Sequence, residues 1–199
     1  MRIQILSRIV SKQKIWIGVA LGLLYGCSAQ HIVRLDPQVF VASSQIGANK
    51  DINLRIIDKR PDNLLSRWEG KANIRKYTVI PDRNLSDILE EKFKEGLHNM
   101  EFRVRADDAQ TPLNLQIEIL RLRSQYQNKL ATMNVRVQSS LRVSCRNGIS
   151  SFAHTFEDQK VLSKAPVSLF PNEKLINASL SDLIRKILSD PTLLHCLSK

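Results

Sequence analysis

From Met133 to Arg146 the chain alternates without a break. Met133, Val135, Val137, Ser139, Leu141, Val143 and Cys145 are interleaved with Asn134, Arg136, Gln138, Ser140, Arg142, Ser144 and Arg146. A period of two held over fourteen residues predicts a strand with one buried and one wet face. Asn147-Gly148, the dipeptide suited to a type I′ turn, predicts a hairpin, with Ile149–Leu162 returning as the partner strand. Leu113–Arg123 reads as a third strand, with Leu113, Leu115, Ile117 and Ile119 on one face. Asp51–Asp58 is a half-buried strand through Ile52, Leu54 and Ile56, closed by the turn residues of Asp58–Asn63. Shorter strands are expected at Gln38–Ala42, Lys76–Ile80 and Glu101–Arg105.

Two segments carry the helical period instead. Leu85, Ile88, Leu89, Phe93 and Leu97 form one stripe over Asn84 to Asn99, with Asn84 placed to cap and Asp87 in the first turn. Ile176, Leu180, Leu183, Ile184, Ile187 and Leu188 form another from Asn172 to Ser189, stopped by Asp190-Pro191. Thr192–Leu197 adds one more turn. Antiparallel strands with one wet face and two amphipathic helices predict an α+β fold. Its architecture is a two-layer sandwich: a mainly antiparallel sheet of three to five strands, with both helices on the apolar face.

The N-terminus has a different pattern. Residues 1–26 hold Arg2, Arg8, Lys12 and Lys14 and no acid, followed by an uncharged run from Ile15 to Tyr25 and then Gly26-Cys27. A basic start, a short apolar stretch and a small residue before a cut are the parts of a secretory signal. The apolar run falls short of the roughly 20 residues a membrane-spanning helix needs. Leu24-Tyr25-Gly26-Cys27 resembles a bacterial lipobox, which implies cleavage before Cys27 and acylation of that residue. Two or three acyl chains make a stable anchor where one holds only marginally. Ser28 after the cysteine, where Asp would signal retention, points to the outer membrane. The expected organisation is a signal peptide over 1–26, an acylated N-terminus and tether over 27–50, and a single periplasmic domain over 51–199.

Charge changes the picture once the leader is set apart. The whole chain carries a net +11, and losing the four cations of residues 1–26 leaves +7. The excess is moderate, and an exported protein does not meet nucleic acid. Hydrophobic residues at 43% and charged residues at 25% are those of an ordinary globular chain.

With these residues in view the chain resembles the YajG family of proteobacterial lipoproteins. The likeness rests on the lipobox at Cys27, a strand ending in Asp58-x-Arg60, and the Leu85–Leu97 helix containing Leu89-Glu90-Glu91-Lys92. It extends through Leu113-Asn114-Leu115-Gln116-Ile117 to a terminal helix with Ile187-Leu188-Ser189-Asp190. The resemblance implies an envelope location and an α+β fold, similar in layout to small lipoproteins that serve larger envelope machines. It brings no catalytic residues.

Candidate chemistry is sparse. His31, His98, His154 and His195 have no His or Cys partner at ligand spacing, so no metal site is expected. Phosphate-cradling and nucleophile-elbow motifs are absent from the sequence, and no cofactor is expected. Asp107-Asp108 reads as a solvated turn, because adjacent carboxylates point apart. Cys145 and Cys196 are left once Cys27 is acylated; in an oxidising periplasm they form either a bridge or two separate buried thiols. Arg136, Arg142 and Arg146 share the wet face of the long strand, with Arg121 and Arg123 near in sequence. They form either a surface for an anionic lipid or acidic envelope partner, or a solvated face that keeps the sheet from aggregating. Trp68 and Tyr77 flank a loop and suit a contact patch or a core anchor equally. The expected function is that of a membrane-anchored, non-enzymatic accessory or interaction protein of the cell envelope. The alternative is a carrier of lipid or glycan, using a pocket between sheet and helices.

Overall fold

A computed structural model describes residues 29–69, 76–105, 111–128, 133–148, 150–164 and 172–199. Its strands are β1 (Ala29–Val33), β2 (Asp51–Asp58), β3 (Ser66–Glu69), β4 (Lys76–Pro81), β5 (Arg103–Arg105), β6 (Leu113–Asn128), β7 (Met133–Asn147) and β8 (Ser150–Lys164). Its helices are α1 (Leu85–Asn99), α2 (Glu173–Leu188) and α3 (Pro191–Ser198).

The fold is α+β. Five strands form one sheet in the order β5-β2-β6-β7-β8, with β6, β7 and β8 an antiparallel meander and β2 parallel to both β5 and β6. The inward residues of β7 are buried from Val135 to Cys145, as the alternation requires. On the same face α1 lies against β2 and β5, α2 against β7 and β8, and α3 against β7 and β8. Ile88, Leu89, Phe93, Leu97, Leu183, Ile184 and Ile187 are fully enclosed between these layers. A second sheet of three strands, β1-β4-β3, was not expected. It takes up Trp68 and Tyr77, which the sequence places beside a loop and the structure pairs directly across β3 and β4.

β6 runs to Asn128, past the expected end at Arg123, because a bulge between Ile119 and Arg121 resets its parity. Up to Ile119 the odd residues face inward; beyond it Leu122 and Ser124 are the buried ones, and Leu120 is left exposed. One extra residue is enough to exchange the two faces of a strand. At this point the edge of β6 also changes neighbour. Lys59 donates its N–H to the Ile119 carbonyl at 3.0 Å, the chain turns away, and Ser124 N–H then reaches the Leu65 carbonyl at 2.6 Å.

The largest correction concerns residues 29–50, which are not a tether. β1 pairs in parallel with β4, and Val33 and Leu35 are buried in the core. No strand forms at Gln38–Ala42; from Arg34 to Gln38 the chain is held instead by α2 side chains, which accept from alternate backbone N–H groups. Arg34 N–H bonds Glu173 Oε2 at 3.0 Å, Asp36 N–H bonds Asn177 Oδ1 at 2.9 Å and Gln38 N–H bonds Ser181 Oγ at 2.8 Å. The match is geometric. Two residues of extended chain advance by ~6.6 Å and four residues of helix by ~6 Å. Alternate N–H groups therefore meet residues four apart on α2. Beyond them Val39 and Val41 pack on the core.

The segment is pinned again before β2. Ser44, Gly47 and Asn49 donate to the carbonyls of Asn99, Met100 and Glu101. A Cβ at Gly47 would lie 2.6 Å from the Glu101 carbonyl, a backbone group that cannot swing aside. Gly96 lets α1 approach α2 closely, since a Cβ there would crowd the tip of the Leu188 side chain.

Candidate interaction surface

The helices cover one face of the five-stranded sheet, and among the described residues no helix covers the other. Alternation sends the even residues of β7 outward, so Arg136, Arg142 and Arg146 are all exposed there. The bulge in β6 adds Arg121 and Arg123 to the same face, and the parallel strands add Arg55, Arg103 and Arg105. Asp51, Glu118 and Glu157 are the acids on these strands, and Asp62 beside them meets Arg123 at 3.7 Å. Asp51 is held by Arg103 Nε at 3.1 Å and Arg105 Nε at 3.4 Å.

The three arginines singled out from the sequence share this face but do not converge. In register, Arg136 lies between Gln125 and Val161, Arg142 between Glu118 and Thr155, and Arg146 between Asn114 and Ser151. At ~3.3 Å per residue, Arg142 is roughly 13 Å from Arg146 and roughly 20 Å from Arg136. A single phosphate cannot bridge such distances, so the array suits an extended anionic surface. Around it the face is polar: Asn53 bonds Asn114 at 2.9 Å, Gln116 bonds Glu118 at 3.1 Å and Gln138 bonds Gln159 at 3.3 Å. A shallow cleft of about 540 Å³ runs over Asn114, Gln116, Ser144, Arg146 and Ser151. The space between sheet and helices, by contrast, is filled with buried apolar side chains.

Asp58-x-Arg60 has a structural part. Arg60 Nε and Nη2 fork onto the Asp58 carboxylate at 3.0 and 2.7 Å, and the Arg60 backbone N–H adds a third bond at 3.0 Å. The guanidinium, 4% exposed, locks the turn through which the chain leaves β2. The motif is visible in the sequence; its burial is not.

Cys145 and Cys196 are joined in a disulfide, with Cα atoms 6.5 Å apart. It ties α3 to β7 beside the bond from Asn147 Nδ2 to the Cys196 carbonyl at 3.1 Å. The histidines stay apart: His31 rests against the Tyr77 ring and His154 against Phe156. Among the described residues no three potential ligands gather for a metal ion. Cys27 and Asp107-Asp108 lie outside the described residues.

Ion pairs on the helical side set a pH dependence. Lys92 Nζ, 2.7 Å from Asp36 Oδ1, holds the Asp36 carboxyl below its usual range. Lys160, and after it Arg185, does the same for Asp182, while Asp182 raises Lys160. Lowered carboxylates contribute stability that is present above their unfolded pKa and lost as pH falls through the folded one. A raised lysine contributes below its unfolded pKa and loses it as pH rises through the folded one. Urea midpoints should therefore be flat near neutrality, fall below about pH 4 and fall again above about pH 10. Asp182→Asn should flatten both limbs. The effect should be small, because these groups are partly exposed and water screens them.

Comparison with known proteins agrees with this architecture. The profile of a family described as "Uncharacterized lipoprotein" matches residues 37–198, and the chain belongs to that family. Among solved structures, a protein of Xanthomonas campestris is similar at a TM-score of 0.51 and 10% identity, covering 84% of this chain and 95% of the other. A minor lipoprotein of Acinetobacter baumannii reaches a TM-score of 0.42 at 13% identity, over 73% and 94% of the two chains. No functionally curated protein matches. The first likeness shows the fold alone.

Proposed function

We propose that the chain is exported, cut before Cys27 and held by acyl chains in the outer membrane, with its domain on the periplasmic face. There it acts without catalysis, as an accessory or docking protein of the cell envelope in the manner of the YajG lipoproteins. Membership of a lipoprotein family supports the anchor, together with the lipobox-like Leu24–Cys27. The observation that carries the docking role is the open sheet face with its row of arginines. Lysine is absent from the outward positions of these strands, and arginine is the cation suited to planar, bidentate contacts with carboxylate and phosphate. No observation favours the carrier reading, since the layer between sheet and helices is closely packed.

The test is crosslinking and affinity recovery from envelope fractions. The native protein should retain a specific partner, and the triple variant Arg136→Glu, Arg142→Glu, Arg146→Glu should lose about 90% of it. The variant should fold normally, because exposed substitutions change stability by only ~0.5 kcal/mol. Equal recovery by both proteins would remove the arginine face from the function. Copurified lipid in place of a partner would favour the carrier.

A further inference from the structure

We propose that the domain sits directly on the bilayer. The Ala29 end of the three-stranded sheet lies in the headgroup layer, and the cross-strand row of Ala29, Tyr77 and Trp68 is brought to that level with it. The inference rests on acylation of Cys27, and it follows from where the fold begins.

β1 starts at Ala29, two residues beyond Cys27. Two residues reach at most ~7 Å even when fully extended. A flexible tether of the 24 residues 27–50 would have had an average span of roughly 27 Å and left the domain free to tumble. That slack is absent: β1, the ladder onto α2 and the pins at Ser44 and Gly47 consume it. An acylated Cys27 sits at the level where the chains leave the hydrocarbon, so Ala29 is held within the headgroup layer or at its rim.

The register names what arrives with it. Ala29 pairs with Tyr77, and Tyr77 pairs with Trp68, so the three residues form one row across β1, β4 and β3. Strands lie ~4.8 Å apart, which puts the Trp68 backbone ~10 Å from Ala29. With the strands rising from the membrane, this row lies parallel to its surface.

The sequence supplies its own probe. It holds two tryptophans, Trp16 in the leader and Trp68, so the chain that starts at Cys27 has Trp68 as its only indole. The acylated protein is placed in phosphatidylethanolamine–phosphatidylglycerol vesicles doped with lipids carrying a nitroxide near the headgroup or near the chain end. Headgroup-level labels are expected to quench Trp68 emission about two-fold, and more strongly than deep labels. Inserting a Gly/Ser linker of roughly 20 residues after Ser28 should abolish most of that quenching, because the domain then swings free. Protein that floats with the vesicles yet shows no quenching, or quenching unchanged by the linker, overturns the inference. Protein that lacks the acyl mass and does not float marks failure of the acylation reading instead.

Discussion

A chain shortened to begin at Lys50, one residue before the domain start at Asp51 that the sequence pattern places, is expected to lose about 5 kcal/mol, as much as the whole stability of many domains. Val33 is fully enclosed and Leu35 nearly so, each worth about 1.5–3 kcal/mol in removal from water. Their loss uncovers the apolar surface they cover on the helices and β4, and β4 loses its parallel neighbour β1. Glu173, Asn177 and Ser181 lose their backbone partners as well. Freeing the segment returns conformational entropy, about 1–2 kcal/mol per residue, which holds the net figure well below the gross burial. In urea the shortened chain should unfold at a far lower midpoint, or show no cooperative transition, while a chain beginning at Ser28 keeps its full stability. Equal midpoints would mean that residues 29–49 only decorate the domain.

Replacing both Cys145 and Cys196 with Ala is expected to cost about 4 kcal/mol, from closure of a loop 51 residues apart in sequence. The urea midpoint should drop by roughly 2 M. Most of the effect acts through the unfolded chain, which the bond restrains whether or not α3 is docked. The native contacts should survive, because Leu193 and Leu197 still anchor α3 in the core. Reduction of the natural protein should lower the midpoint equally. A variant as stable as the oxidised protein would show that burial alone holds α3 in place.

Much of this fold is legible because its long elements follow one period. β7 alternates cleanly and the stripes of α1 and α2 bury the leucines and isoleucines they mark; the hairpin forms where expected, but its turn falls one residue later, since Asn147 stays in β7 and pairs with Ser150. Three features escape such reading for physical reasons. β1 and β3 are five and four residues long, too short to show a period, so the second sheet is hidden. The segment after β1 satisfies its backbone through Glu173, Asn177 and Ser181, which in sequence look like the solvent side of α2. The bulge in β6 inverts the face of every residue beyond Ile119, and Leu120 and Leu122 give no sign of which one turns outward. The interaction surface divides in the same way. The outward arginines of β7 follow from alternation, whereas Arg55, Arg103 and Arg105 join them only through the parallel pairing of β2. The cysteine pair depends on α3 folding back to within 6.5 Å, a distance no spacing rule contains.

The anchor at Cys27 is the claim on which location, docking and membrane seating all depend. Its direct test is fractionation with intact mass measurement of the natural protein beside Cys27→Ala. The natural protein is expected in the outer membrane, with the mass of residues 27–199 plus its acyl chains. The variant is expected to lack that mass and leave the outer-membrane fraction. A Cys27→Ala protein that fractionates with the outer membrane as before, or natural protein that carries no acyl mass, would contradict the lipid anchor.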